Sequence, residues 1–93
     1  MNKTTWKYEL DATDIQVIVM PINSELLTVQ VQNEIPYIWA LVDPSMETEK
    51  VYIEIFGTGH GIPYDMGTTR KYIGTYQLNN GALVFHVFEY TGV

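Results

Sequence analysis

Residues 70–90 read Arg70-Lys71-Tyr72-Ile73-Gly74-Thr75-Tyr76-Gln77-Leu78-Asn79-Asn80-Gly81-Ala82-Leu83-Val84-Phe85-His86-Val87-Phe88-Glu89-Tyr90. Two apolar runs rich in β-branched and aromatic residues flank Asn79-Asn80-Gly81. Tight hairpin turns of type I′ need positive φ at both central residues, and Asn and Gly reach that region at least cost. The stretch predicts a hairpin that pairs residues 71–78 with 82–90. It makes the chain a β structure and says nothing about chemistry.

Upstream, turn-forming residues recur at about the 8–12-residue spacing of an antiparallel meander, sandwich or barrel. Strands are expected at 3–10, 15–20, 26–32, 37–42 and 51–56. Trp6, Tyr8 and Leu10 share one face of the first. The second, Gln16 apart, and the fourth are apolar on both faces, as in a central or covered strand. In the third, Leu27, Val29 and Val31 alternate with Thr28, Gln30 and Gln32. Residues 45–50, opened by Pro44, have room for one helical turn. No window sustains a 3.6-residue period, so little or no helix is expected. The expected fold is a single all-β domain, 1–93, of six to seven mostly antiparallel strands in a small barrel or sandwich. Its expected core is Trp6, Val17, Val29, Val31, Trp39, Leu41, Ile53, Ile55, Leu83, Phe85 and Val87.

A chain of 93 residues buries only about two-thirds of its unfolded surface, so a homo-oligomer is one route to burying more. The formal net charge is −6, from eleven acidic and five basic residues. Only Arg70 and Lys71 are adjacent, which leaves no basic stripe to displace counterions, so direct nucleic-acid binding is not expected. The chain has no cysteine, which excludes disulfides and thiolate metal sites. Its two histidines have no ligand spacing, so neither a metal nor a cofactor is expected. The N-terminus has no apolar core of signal-peptide length, and no run approaches the ~20 apolar residues of a membrane span. A cytoplasmic location follows as the expectation.

The irregular segment is 57–69, Gly57-Thr58-Gly59-His60-Gly61-Ile62-Pro63-Tyr64-Asp65-Met66-Gly67-Thr68-Thr69. Loops this long are uncommon in small domains and are often functional. Glycine lets a ligand approach the backbone closely, and exposed N–H groups cradle anions. A P-loop would need Gly-Lys-Ser/Thr feeding a helix, and a dinucleotide site a strand–turn–helix unit. Neither is present. The candidate ligand-binding set is Gly57, Thr58, Gly59, His60 and Tyr64, with Arg70 and Lys71 as anion contacts. His60 is the best candidate for chemistry, with Asp65 or Glu54 as partner, but no nucleophile is marked. His86 lies within a strand and is expected to hydrogen-bond on a sheet face. The seven tyrosines, with Trp6 and Trp39, either line a stacking groove or form core and cross-strand pairs.

Several blocks are specific as a set: Trp6-Lys-Tyr-Glu-Leu10, Gln30-Val-Gln32, Trp39-Ala-Leu-Val-Asp-Pro44, Gly57-Thr-Gly-His60 with Ile62-Pro63, Tyr72-Ile-Gly-Thr-Tyr-Gln77 and Gly81-Ala-Leu-Val-Phe-His-Val-Phe-Glu89. In this order they resemble a family of small phage and prophage proteins carried as a domain of unknown function. The resemblance implies no catalytic residue. By genome context it implies a binding role, blocking a host factor or sequestering a small ligand, in the host cytoplasm. The leading expectation is a non-catalytic binding protein. The alternative is a protein–protein interaction or virion-associated module, and the third is a small hydrolase using His60.

Overall fold

The computed structural model describes residues 2–65 and 69–92. Seven strands follow one another: β1 Thr4–Glu9, β2 Ile15–Pro21, β3 Glu25–Gln32, β4 Ile35–Val42, β5 Thr48–Gly57, β6 Arg70–Leu78 and β7 Leu83–Tyr90. They form two antiparallel sheets, ordered β1-β4-β3 and β2-β5-β7-β6. The sheets stack as a sandwich and do not close into a barrel. No helix occurs among the described residues, so none there is long and apolar enough to cross a membrane.

The hairpin expected from Asn79-Asn80-Gly81 forms. Asn79 and Asn80 both have φ of 53°, and the Gly81 N–H donates to the Leu78 carbonyl at 3.2 Å. The loop is longer than a two-residue turn, because Leu78 pairs with Leu83 rather than with Gly81. Gly81 adds a third positive φ, 87°, and the Ala82 N–H closes a second turn on Asn79. A true two-residue turn lies elsewhere. Gln32 pairs with Ile35, and Asn33 and Glu34 take φ of 52° and 64°. β4 begins at Ile35, two residues before the strand expected at 37–42, and takes in Pro36.

The expected helical turn at 45–50 is absent, and β5 already begins at Thr48. Asp43 explains the bend. Its Oδ1 accepts from the Ser45 N–H at 3.0 Å and the Ser45 hydroxyl at 2.7 Å, which gives the backbone a turn in place of a helix.

The core corrects the sequence reading at several positions. Ile38, Ala40 and Val42 are the buried face of β4, and Ile18 and Met20 that of β2. Trp39, Leu41 and Val17 point outward, opposite to expectation. Both faces of these strands are apolar, so alternation carried no parity signal there. Trp6 is on the core side of β1, but β1 is an edge and Trp6 stays 42% exposed. Leu83 sits at the hairpin end and is 44% exposed. Val29, Ile53, Ile55 and Val87 are buried as expected, with Val31 and Phe85 packed against them. Each fully buried aliphatic side chain contributes about 1.5–3 kcal/mol.

Two bulges tune the sheets. One between Leu26 and Thr28 inserts Leu27, so Leu26 and Val29 both reach the core while Leu27 faces out. The other lies between Tyr72 and Gly74. A Cβ on Gly74 would stand 3.5 Å from the Val29 backbone nitrogen, so β6 and β3 close one side of the sandwich there.

The long loop has a structural cause. β5 and β6 run the same way with β7 between them. The connection must therefore return the length of the sheet, which a short turn cannot do. Thr58 and Pro63 hold it to the outer face of the larger sheet through His86 and Arg70. Residues 66–68 of the loop lie outside the described residues.

Candidate functional site

At one end of the sandwich the sheets part and leave a cleft of about 430 Å³. Its floor comes from the ends of strands: Leu10, Ile55, Tyr76, Leu78 and Phe85. Tyr76 and Phe85 stack with centroids 5.3 Å apart. Burial pushes the Tyr76 hydroxyl above its ordinary pKa, because the apolar floor disfavours the phenolate. The rim comes from turns. Glu9 borders it from the end of β1, Asp11 and Asp14 from the β1–β2 connection, and Glu34 from the β3–β4 turn. Among the described residues neither Lys nor Arg lines it. A volume of this size falls in the range of small-molecule sites.

Glu34 is at the rim with φ of 64°, a conformation costing a non-glycine residue roughly 1–2 kcal/mol. The β1–β2 turn is braced by Gln16. Its side chain accepts from the Asp11 N–H at 2.9 Å and donates to the Asp11 carbonyl at 3.0 Å. Asp11 is therefore held in place beside the apolar floor. Among the described residues no group of three or more His, Asp or Glu is arranged to hold a metal ion.

The structure divides the seven candidate residues from the sequence. Gly57 and His60 line the cleft. The His60 N–H donates to the Gly57 carbonyl at 3.1 Å, and its ring fills the space a Gly57 Cβ would need, at 3.0 Å. Gly59 makes the turn between them with φ of 87°. Thr58 turns to the outer face, where its hydroxyl meets His86 Nε2 at 2.7 Å. Tyr64 is exposed further along the loop. Arg70 and Lys71 are adjacent in a strand, so their side chains leave opposite faces. Arg70 is spent on Glu54, with Nε–Oε1 at 2.7 Å and Nη2–Oε2 at 3.2 Å, and donates to the Pro63 carbonyl at 2.6 Å. Lys71 is exposed opposite Glu89. Neither borders the cleft.

His86 is at the centre of a chain of hydroxyls. Thr75 Oγ1 lies 3.0 Å from Nδ1, and Tyr72 OH bonds Thr75 in turn. A proton assigned to Nε2 lets every member donate onward: Tyr72 to Thr75, Thr75 to Nδ1, Nε2–H to Thr58, and Thr58 to the Val84 carbonyl. The chain pins the start of the loop to β7. Glu54 belongs to this outer face too, where its carboxylate faces Arg70.

The acidic rim and the Tyr76–Phe85 floor were not singled out from the sequence. The signal was present in the turns, since Asp11–Asp14 and Asn33-Glu34 punctuate the same end of alternate strands. Nothing in the sequence showed that the sheets part there. The family described as a domain of unknown function (DUF7352) matches the chain over residues 1–92. No curated protein and no solved structure matches it significantly.

Proposed function

Because the chain belongs to the DUF7352 family, a domain of unknown function, we propose its role from its own cleft: it is a non-catalytic protein that binds a small ligand with an apolar body and a cationic end. One observation carries this reading, an uncovered apolar cleft whose charged rim is all carboxylate. The floor removes an alkyl or aryl group from water at about 25 cal/mol per Å². The rim, beside low-dielectric walls, concentrates cations. His60 closes one side of the mouth, and the ring pair Tyr76–Phe85 offers a face for a planar or cationic group. The motifs that resemble small phage proteins fit a role in sequestering such a ligand without converting it.

The test is a thermal-shift and calorimetric comparison of 4-phenylbutylamine, 4-phenylbutanol and 4-phenylbutyrate. The amine should bind tightest and the acid weakest, with the order lost in high salt and on Glu34→Lys. At 100 times its dissociation constant the amine should add about 2.7 kcal/mol, or about 10 °C or more for a domain this size. Equal binding of amine and acid, or no shift with either, would sink the reading.

A further inference from the structure

Four strands end the two sheets: β1 and β3 in the smaller, β2 and β6 in the larger. An edge strand exposes unpaired N–H and C=O groups, and natural sheets blunt it with charge, a bulge or cover. Three of the four are blunted. β1 carries Lys7 and Glu9. β3 is bulged at Leu27 and lies against β6, which is itself bulged at Ile73 and opens with Arg70 and Lys71. The fourth, β2, reads Ile15-Gln16-Val17-Ile18-Val19-Met20-Pro21, with no charge and no shift in its register with β5.

The hydrogen-bond pattern shows which groups of β2 are free. The Ile55 N–H donates to the Asp14 carbonyl at 2.8 Å, and the Ile22 N–H to the Glu47 carbonyl at 2.8 Å. Even-numbered residues thus bond to β5, and in an antiparallel ladder the odd-numbered ones turn their N–H and C=O outward. These are Ile15, Val17 and Val19. Thr13 Oγ1 donates to the Ile15 carbonyl at 3.3 Å. The same three side chains form an apolar stripe on the outer face, 64%, 48% and 55% exposed. Pro21, with no N–H, ends the free edge.

We propose that β2 pairs with β2 of a second copy, antiparallel about a two-fold axis at Val17, extending the four-stranded sheet to eight strands. In this register Val17 faces the partner's Val17 and Ile15 faces the partner's Val19. Every member of the stripe meets another β-branched side chain, a favourable cross-strand pair. The three outward residues of each copy supply about six interchain N–H···O bonds. Charge favours this edge over the rest of the surface. The chain carries −6 overall, yet β2 is uncharged. The register sets Asp14 opposite the partner's Met20, which holds the two Asp14 carboxylates roughly 20 Å apart, beyond a Debye length at physiological salt. The contact is isologous and closes on itself, so it gives a dimer and not a fibre. The pairing residues Ile15, Val17 and Val19 do not line the cleft, so the contact stands apart from the ligand reading.

Sedimentation equilibrium and native mass spectrometry of the whole chain at about 100 µM, well above the micromolar range where standard interfaces assemble, test it. The wild type should be a dimer. Val17→Lys, which puts a charge on the axis at an exposed position, should be a monomer with unchanged circular dichroism. Tyr72→Lys on the far edge should leave the dimer intact. The chain has no cysteine, so single cysteines report the register. Val17→Cys should oxidise to a covalent dimer, because paired Cα atoms about 5.5 Å apart lie within disulfide reach. Val19→Cys should not, since it faces the partner's Ile15. A monomeric wild type, a dimer that survives Val17→Lys, or equal cross-linking of the two cysteine variants overturns the proposal. Should Val17→Lys fail to fold, the two cysteine variants decide it.

Discussion

The guanidinium of Arg70 reaches from β6 over the intervening strand β7 to the carboxylate of Glu54 on β5, with Nε 2.7 Å from Oε1. Both side chains are about nine-tenths buried. The guanidinium also lies 5.2 Å from the Tyr90 ring centre and holds the loop by the Pro63 carbonyl. Removing one partner of a buried pair leaves the other charge uncompensated. Arg70→Ala should therefore lower stability by about 3–5 kcal/mol, and Arg70→Ala with Glu54→Gln should cost less than Arg70→Ala alone. Urea unfolding of the two variants beside the wild type measures this, and equal losses in both would refute it.

Glu34 couples strain to the proposed site. Its φ of 64° suits glycine: Glu34→Gly relieves roughly 1–2 kcal/mol of left-handed strain against about 0.5–1 kcal/mol of added unfolded-chain entropy, so stability should rise by up to about 1 kcal/mol. The same change removes a rim carboxylate and should weaken binding of a cationic ligand several-fold. A melt and a titration on one variant test both halves. If the gain in stability comes with unchanged binding, the rim has no part in recognition.

The buried tyrosines set an alkaline limit. Burial raises the pKa of both Tyr8 and Tyr76. A raised native value means that stability is complete below the unfolded value of about 10 and falls as pH climbs through the native value. Stability should thus decline above about pH 10 as unfolded chains ionise first. Tyr8 adds a second effect, because its hydroxyl is buried with no hydrogen-bond partner among the described residues. Tyr8→Phe should therefore leave stability at pH 7 unchanged or higher and reduce the alkaline loss. Denaturant curves at pH 7 and pH 10.5 decide between this and a destabilising Tyr8→Phe.

Asp43 acts at the acid end. The Ser45 hydroxyl, then the Ser45 N–H, hold its carboxyl below the usual range. A lowered native value gives stability that is present above the unfolded value near 3.9 and is lost as pH falls through the native one. Ser45→Ala should make acid unfolding begin at higher pH. An unshifted acid transition in that variant would show that the turn is held by other means.

How much was legible depended on whether a local signal existed. Asn79-Asn80-Gly81 placed one hairpin because three residues in a row tolerate positive φ. Asn33-Glu34 was missed as a two-residue turn because glutamate rarely adopts it, and tertiary pairing of β3 with β4 overrode that preference. β3 alternated cleanly in sequence, yet the bulge at Leu27 changed which residues reach the core. β2 and β4 were read with the wrong face inward because both faces are apolar. Arg70 and Lys71 read as two contacts for an anionic ligand, but the partner that neutralises Arg70 is sixteen positions away. The cleft was illegible for the same reason: its rim and floor come from five separate segments that only the stacking of the sheets brings together.

The close approach of Gly74 to Val29 bears on how the chain folds. The β3–β4 and β6–β7 hairpins are local and form on a microsecond scale. Closing β6 against β3 joins segments far apart in the chain, and the entropy of that loop is lost before its contacts are made. Docking of the two sheets at Gly74 should therefore be the slow event, in the millisecond-to-second range of all-β domains. Until it occurs, both hairpins present their apolar faces to water.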